Sequence, residues 1–310
     1  MNETIPIWIW AVFNLFVLTL LALDLGVFHR KSHIVGTKEA LGWSAVWISL
    51  ALMFNVLLYF WRGPQPATEF LTGYLIEKAL SVDNIFVFIM IFAYFKISAI
   101  HQHKVLFWGI LGALLMRAIF IFGGVKMLEH FHWIIYVFGA FLIFTGIKMV
   151  FAHGKKIDPG KDPLLQFFHR FIPITPTLEN GHFWVRRNGR LWATPLFVAL
   201  LFVEMSDLIF AVDSIPAILS ITRDPFIVYT SNVFAILGLR SLYFALAGIV
   251  DMFQYLHYGL AAILVFVGAK MALMDVYKIP IWISLFIILA ILLVSIVISL
   301  YHARTTETAS

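Results

Sequence analysis

Nine stretches of about twenty mainly apolar residues recur along the chain, at roughly 7–28, 40–61, 70–95, 104–124, 131–152, 193–221, 226–249, 255–274 and 280–302. A bilayer core about 30 Å thick demands that length from a helix, and it forbids backbone that does not satisfy its own hydrogen bonds. The expected fold class is therefore an all-α polytopic membrane protein of about nine transmembrane helices. Of the 310 residues 62% are hydrophobic and only 13% charged, with a mean hydropathy of +0.93, whereas a soluble domain is nearer a quarter charged. The start, "MNETIPIWIW", has neither a basic region before its first apolar run nor a small-residue cleavage pattern after it, and reads as a retained first helix.

Charge sets the expected orientation. Outside the spans, thirteen Lys and Arg fall in the first, third and fifth loops and the C-terminal tail, against Arg62, Lys126, Arg223 and Lys278 in the others. The positive-inside rule then places the N-terminus outside and the C-terminus in the cytoplasm, as an odd number of spans requires. The net charge of +5 belongs to these loops, so the basic partner surface expected is the lipid headgroup region, not nucleic acid. Residues 153–192, rich in Pro, Gly and charge, read as a cytoplasmic linker. Cysteine is absent, which removes disulfides, thiolate metal sites and cysteine nucleophiles.

The chain also repeats itself. "FGAFLIFTGIKMVF" (138–151) matches "GLAAILVFVGAKMAL" (259–273), and "IEKALSVDNIF" (76–86) matches "SDLIFAVDSIP" (206–216). Glu77 then pairs with Asp207, Asp83 with Asp213, Asn84 with Ser214, and Arg117 with Arg240. Residues 70–152 (spans three to five) and 193–274 (spans six to eight) would form two three-helix units. An odd number of spans per unit inverts one relative to the other, the architecture of many secondary transporters, whose sites lie at the repeat interface. Residues 1–61 and 280–302 would surround that core within a single membrane domain.

A carboxylate at the bilayer centre costs about 3 kcal/mol on insertion scales and marks a pathway. Six acids fall within the spans: Asp24, Glu77, Asp83, Glu204, Asp207 and Asp213. Lys78, Arg117 and Arg240 could form structural ion pairs with some of them, but three cations do not cancel six acids. The recurrent excess points to a cation site. Glu77 and Asp83 are six residues apart, as are Asp207 and Asp213, which on an unbroken helix separates the side chains by about 120°. Convergence on one ion would need a break, and Pro216, which removes the hydrogen bond to the Val212 carbonyl, is the expected place. The candidate ligands are oxygens: those six acids with Asn84 and Ser214, and Asn55 and Asn232 as further possibilities. Such sites suit Mg²⁺, Ca²⁺ or Mn²⁺, whereas Zn²⁺ and Cu⁺ favour His and Cys. The eleven histidines lie at helix ends and in loops.

The runs "FLTGYLIEKALSVDNIFVF" (70–88), "VEMSDLIFAVDSIPAI" (203–218) and "RDPFIVYTSNVFAILGLRSLYF" (223–244), with "ENGHFWVRRNGRLWATPL" between, resemble the TerC family of integral membrane proteins, and within it the Alx-type bacterial members, over essentially the whole chain. The resemblance implies export of Mn²⁺ from the cytoplasm, with Glu77, Asp83, Asp207 and Asp213 as the acids matching the family's motifs and Asp24 and Glu204 as lesser ones. Mn²⁺ would be cargo, with no resident cofactor. No nucleotide-binding motif is present, so proton antiport is the expected drive. Two other classes compete: a membrane anchor or assembly partner in metal or tellurium stress, with structural buried charges and the linker 153–192 as docking surface, and an intramembrane aspartyl enzyme. The "GxGD" pattern of intramembrane aspartyl proteases is absent, so the chain is not expected to be an enzyme.

Overall fold

The computed structural model describes residues 5–24, 36–131, 133–152, 173–175, 178–179, 181–187, 189–247 and 255–307. Residues 25–35, with Arg30 and Lys31 of the first basic loop, lie outside them, as do residues 153–172 of the linker. The described residues form α1 (Ile7–Leu23), α2 (Thr37–Arg62), α3 (Pro64–Tyr94), α4 (Ala99–His130), α5 (Ile134–Ala152), a hairpin of β1 (Trp184–Arg187) and β2 (Arg190–Ala193), α6 (Pro195–Leu219), α7 (Pro225–Leu237), α8 (Leu239–Leu246), α9 (Leu256–Ala272) and α10 (Ile281–Glu307). Helices thus stand at every predicted apolar stretch. Six, counting α7 and α8 as one, are long and apolar enough to cross a membrane; α1 and α9 are shorter apolar helices. α3 has the length but carries Glu77, Lys78 and Asp83 in its middle. The chain is a multi-pass, essentially all-helical membrane protein.

Local chemistry starts and stops these helices. Gly63 takes φ 92°, a left-handed conformation that suits glycine, and so turns α2 directly into α3. Pro64, Pro195 and Pro225 open α3, α6 and α7, where a missing N–H costs nothing. Asp224 caps α7 by accepting from the amides of Phe226 (2.9 Å) and Ile227 (3.4 Å).

Two ends of the bundle are defined by contacts. At one, Pro6, Trp61, Arg62, Asp224, Met274 and Ile281 line a single open cavity, and Arg62 pairs with Asp224 at 2.6 Å. At the other, the Lys104 ammonium donates to the Gly181 carbonyl at 2.8 Å and lies over the Phe183 ring. The hairpin folds against that second end, in register from Trp184↔Ala193 to Arg187↔Arg190. Its turn holds Gly189 at φ 76°. It is an addition to the expected linker, and the Asn-Gly pair at 188–189 is the sequence signal for it.

α7 is the hub, with every residue from Phe226 to Leu237 buried. Around it Trp10 and Phe13 of α1, Phe54 of α2 and Phe70 of α3 pack on Phe226, Tyr229 and Phe234. A second apolar cluster, with Ile85, Phe88, Phe92, Leu106, Val203 and Tyr243, fills the bundle toward the Lys104 end. Leu15, Met53, Leu115, Phe144, Phe286 and Val297 face outward, as a lipid-facing surface requires.

The expected break at Pro216 is not found. α6 runs unbroken to Leu219, and the Ser220 amide still bonds the Pro216 carbonyl at 3.0 Å. Pro216 stands in the last turn, so it removes one hydrogen bond, to Val212, in a helix about to end. Val212 itself is on an exposed flank. The interruption lies instead between α7 and α8 at Gly238. A Cβ on Gly238 would be 2.8 Å from the Lys78 ammonium and 3.1 Å from Trp47 Cβ. The glycine makes room there for a half-buried cation, which donates to the Ala235 carbonyl at the end of α7 (3.3 Å), where the helix dipole favours positive charge.

Candidate functional site

Four helices meet at Arg117 of α4, which is 2% exposed. Its Nε donates to Asp207 Oδ2 (3.1 Å) and its Nη2 to Asp207 Oδ1 (2.9 Å), a bidentate grip on α6. Its Nη1 donates to Glu77 Oε1 of α3, and at longer range to Asn232 Oδ1 of α7 (3.3 Å) and Ser214 Oγ (3.5 Å). Asn84 Nδ2 adds a donor to Asp207 Oδ1 at 3.4 Å. Helical spacing brings this about: Glu77, Ser81 and Asn84 lie at i, i+4 and i+7 along one buried face of α3, and Asp207 and Ser214 at i and i+7 on α6.

Two carboxylates and one guanidinium leave one negative charge when all are ionised. Three atoms of the cluster are buried without a hydrogen-bond partner: Glu77 Oε2, Asn84 Oδ1 and Asn232 Nδ2. Orphaned polar atoms are costly in an apolar interior, and two of these are oxygens of the kind that hard cations take. A cavity of about 10 Å³, the room of one water, lies beside the cluster toward the Lys104 end and touches both Asp207 and Arg240.

Of the residues expected at the site, Glu77, Asp207, Asn84 and Ser214 therefore come together. The others do not join them. Asp83 faces His257 of α9, with 3.6 Å between Oδ2 and Nδ1, while His257 Nε2 bonds the Met149 carbonyl at 2.6 Å. Asp213 lies beside Thr145 and Lys148 of α5. Asp24 pairs with Arg240 at 2.5 Å. Glu204 rests on the backbone of α4 at Gly112, where a Cβ would collide with its carboxylate, and its Oε2 is buried without a partner. Among the described residues no three of His, Asp and Glu gather closely enough to hold a metal ion.

Arg117, expected only as one of three intramembrane cations that could pair with the acids, does form such ion pairs and holds one acid of each repeat at once. Its signal was its match to Arg240 in the repeat. The two do not behave alike, since Arg117 binds acids of both repeat segments and Arg240 binds Asp24 of α1.

The similarity to known proteins extends over most of the chain. Residues 62–307 match the family described as integral membrane protein TerC. An uncharacterized membrane protein of Myxococcus xanthus, STKORF319, is 57% identical over 301 residues, 97% of this chain and 94% of that protein. A protein of Escherichia coli (strain K12), given the proposed designation membrane-bound redox modulator Alx, is 48% identical over 301 residues, 94% of each chain. The protein of the same designation in Salmonella typhi is 47% identical over 307 residues, 96% of this chain and 95% of that one. No solved structure matches.

Proposed function

The chain belongs to the TerC family of integral membrane proteins, and from that premise we propose that it is a secondary transporter exporting Mn²⁺ from the cytoplasm across a bacterial inner membrane in exchange for protons. In this reading nine helices cross the membrane, the two three-helix repeats are inverted, the N-terminus is outside and the C-terminus cytoplasmic. Glu77, Asp83, Asp207 and Asp213 carry the cation, with Asn84 and Ser214 as neutral oxygens and Glu204 and Asp24 as accessory acids. The protein acts as a carrier and not as an enzyme.

The observation that carries the proposal is the convergence of Glu77 and Asp207, equivalent acids of the two repeats, on Arg117. With no metal bound, the guanidinium is the cation that holds these carboxylates together. An arriving Mn²⁺ competes for the same oxygens and is drawn by the unpartnered Glu77 Oε2 and Asn84 Oδ1. Displacement of Arg117 would loosen contacts among α3, α4, α6 and α7 at once, which is how cargo could change the side to which the site opens. The redox designation of the relatives fits a protein that acts through what it moves, since this chain has no cysteine for thiol chemistry of its own.

One observation favours the reading as a membrane anchor: the ion pairs of Arg117 and Arg240 are buried and would serve as structure alone. Metal uptake into inverted, reconstituted vesicles decides between them. Mn²⁺ should be taken up faster than Mg²⁺, Ca²⁺ or Zn²⁺, and Asp83→Asn or Asp213→Asn, neither touching Arg117, should abolish it. Equal rates for these variants and the unaltered protein would sink the site; no uptake of any ion, with effects confined to deletion of the linker, would favour the anchor.

A further inference from the structure

On either side of the Arg117 cluster α3 has a different character. Toward the Lys104 end its buried face continues as Ile85, Phe88, Ile91 and Phe92, all within the apolar cluster. Toward the Arg62 end it continues as Gly73 and then Glu69, a residue that was not among the expected site residues. Glu69 is 8% exposed, accepts from Gln65 Nε2 at 3.0 Å and faces Lys270 of α9. It borders an open cavity of about 1400 Å³ whose wall also presents Ser220, Thr222 and Asp224. Eight residues separate Glu69 from Glu77, about 12 Å along a helix.

Between the two, α3 is packed against its neighbours at Gly73. At Gly73 a Cβ would lie 3.0 Å from Ser231 Oγ and 3.3 Å from Ile218 Cγ2. Ser231 and Ile218 are both fully buried, and Ser231 precedes Asn232, a member of the Arg117 cluster. The glycine therefore lets α3 pack closely on α6 and α7 at a point between Glu77 and Glu69.

The geometry points to an exit route along the α3 face Glu77–Gly73–Glu69, sealed where Gly73 meets Ser231 and Ile218, with Glu69 as a second carboxylate station for the departing divalent cation in a vestibule facing the outside. The inference rests on the reading of the protein as a cation exporter with its Arg62 end outward. Lys270 would supply a nearby positive charge to Glu69 between passages. Toward the other end the apolar cluster keeps the route shut in the conformation described here.

Because the chain has no cysteine, single cysteines report access directly and without any metal. With a membrane-impermeant thiol reagent applied to intact cells, Thr222→Cys and Glu69→Cys should react readily. Ser231→Cys should react more slowly, at least tenfold faster from outside than in inverted vesicles, and Leu106→Cys not at all from outside. Adding Gly73→Leu, which fills the seal, should protect Ser231→Cys and leave Thr222→Cys reactive. Faster reaction of Ser231→Cys from the cytoplasmic side, or none from either, overturns the route; Ser214→Cys replaces it if the Ser231 variant does not give a monodisperse peak on gel filtration. In the transport assay Glu69→Gln should slow Mn²⁺ movement several-fold and Glu69→Asp should restore most of it; equal rates for Gln and the unaltered protein overturn the station. Outside access with no Mn²⁺ movement in the unaltered protein would instead defeat the export reading and leave the route standing.

Discussion

Gly139 and Gly268 lie backbone against backbone. A Cβ on the first would be 2.9 Å from the carbonyl oxygen of the second, and a Cβ on the second 2.6 Å from that of the first. Two helical turns along, a Cβ on Gly146 would meet the Ala261 carbonyl at 2.7 Å. Positions 139 and 146 of α5 correspond to 261 and 268 of α9 when the repeat is aligned, so exchanging the two segments turns one contact into the other. An antiparallel pair related in this way is what a pseudo-two-fold axis in the membrane plane would produce, and it supports the inverted arrangement. Lipid is as apolar as a leucine side chain, so close backbone approach, not burial, holds such helices together. Gly139→Leu and Gly268→Leu are each expected to cost at least about 1–3 kcal/mol by overpacking. Gly123→Leu, at a glycine with nothing within 4 Å, should cost little. Thermal midpoints of detergent-purified protein check this; equal midpoints for Gly139→Leu and Gly123→Leu would refute it.

The Arg117 cluster makes an asymmetric prediction. Removing Arg117 as Arg117→Met leaves two carboxylates buried side by side without a cation, and breaking a buried pair from one side costs about 3–5 kcal/mol. Glu77→Gln or Asp207→Asn leaves one acid facing one guanidinium, with charge balanced. Those variants should fold and fail chiefly in transport, whereas Arg117→Met should lose the monodisperse peak on gel filtration. Arg117→Lys keeps the charge but not the two-toothed grip on Asp207, and should fall between. If Asp207→Asn proves less stable than Arg117→Met, the cluster is not held by its charge balance.

Much of this arrangement could be read from the residues alone, because two rules act locally. Hydropathy placed a helix at each apolar stretch, and a spacing of six residues separated Glu77 from Asp83 and Asp207 from Asp213, which do end on different partners. What could not be read was decided between helices. Arg117 and Arg240 are equivalent in sequence, and only the packing of α1, which lies outside the repeat and brings Asp24, sends Arg240 elsewhere. The break was misplaced for a related reason. Proline has a local signature and drew attention to 216, whereas Gly238 interrupts α7 and α8 where Lys78 and Trp47 press in from α3 and α2. Glu69 fell outside the candidate acids because it sits one residue before the apolar stretch assigned to 70–95.

Glu204 and Gly112 form a testable pair. The carboxylate occupies the space a side chain at 112 would need, so Gly112→Ala must swing the flexible end of Glu204 aside, which offsets part of the up to about 1 kcal/mol that alanine gains over glycine in a helix. Glu204→Ala alone removes a buried oxygen that has no partner and should leave stability unchanged or raised. In the double variant the space is free and the full helix preference of alanine is recovered, giving a favourable coupling energy. Additive effects in that cycle would mean the carboxylate does not lie over Gly112.

Asp224 performs two tasks at the Arg62 end, and the magnitudes say which matters. Its ion pair with Arg62 is about one-fifth exposed on each side, and pairs open to water are worth about 0–1 kcal/mol. Its cap on α7 satisfies two amides of the most buried helix in the bundle, and losing such a cap costs about 0.5–2 kcal/mol. Arg62→Ala should therefore lower the thermal midpoint only slightly, Asp224→Ala clearly more, and Asp224→Asn, which keeps the capping oxygen and discards the charge, should stay close to the unaltered protein. Raising the salt concentration should shrink the small Arg62→Ala effect, since screening weakens the pair, and leave the difference between Asp224→Ala and Asp224→Asn intact. Should Asp224→Asn destabilise as much as Asp224→Ala, the ion pair and not the cap would be the interaction that fixes the start of α7.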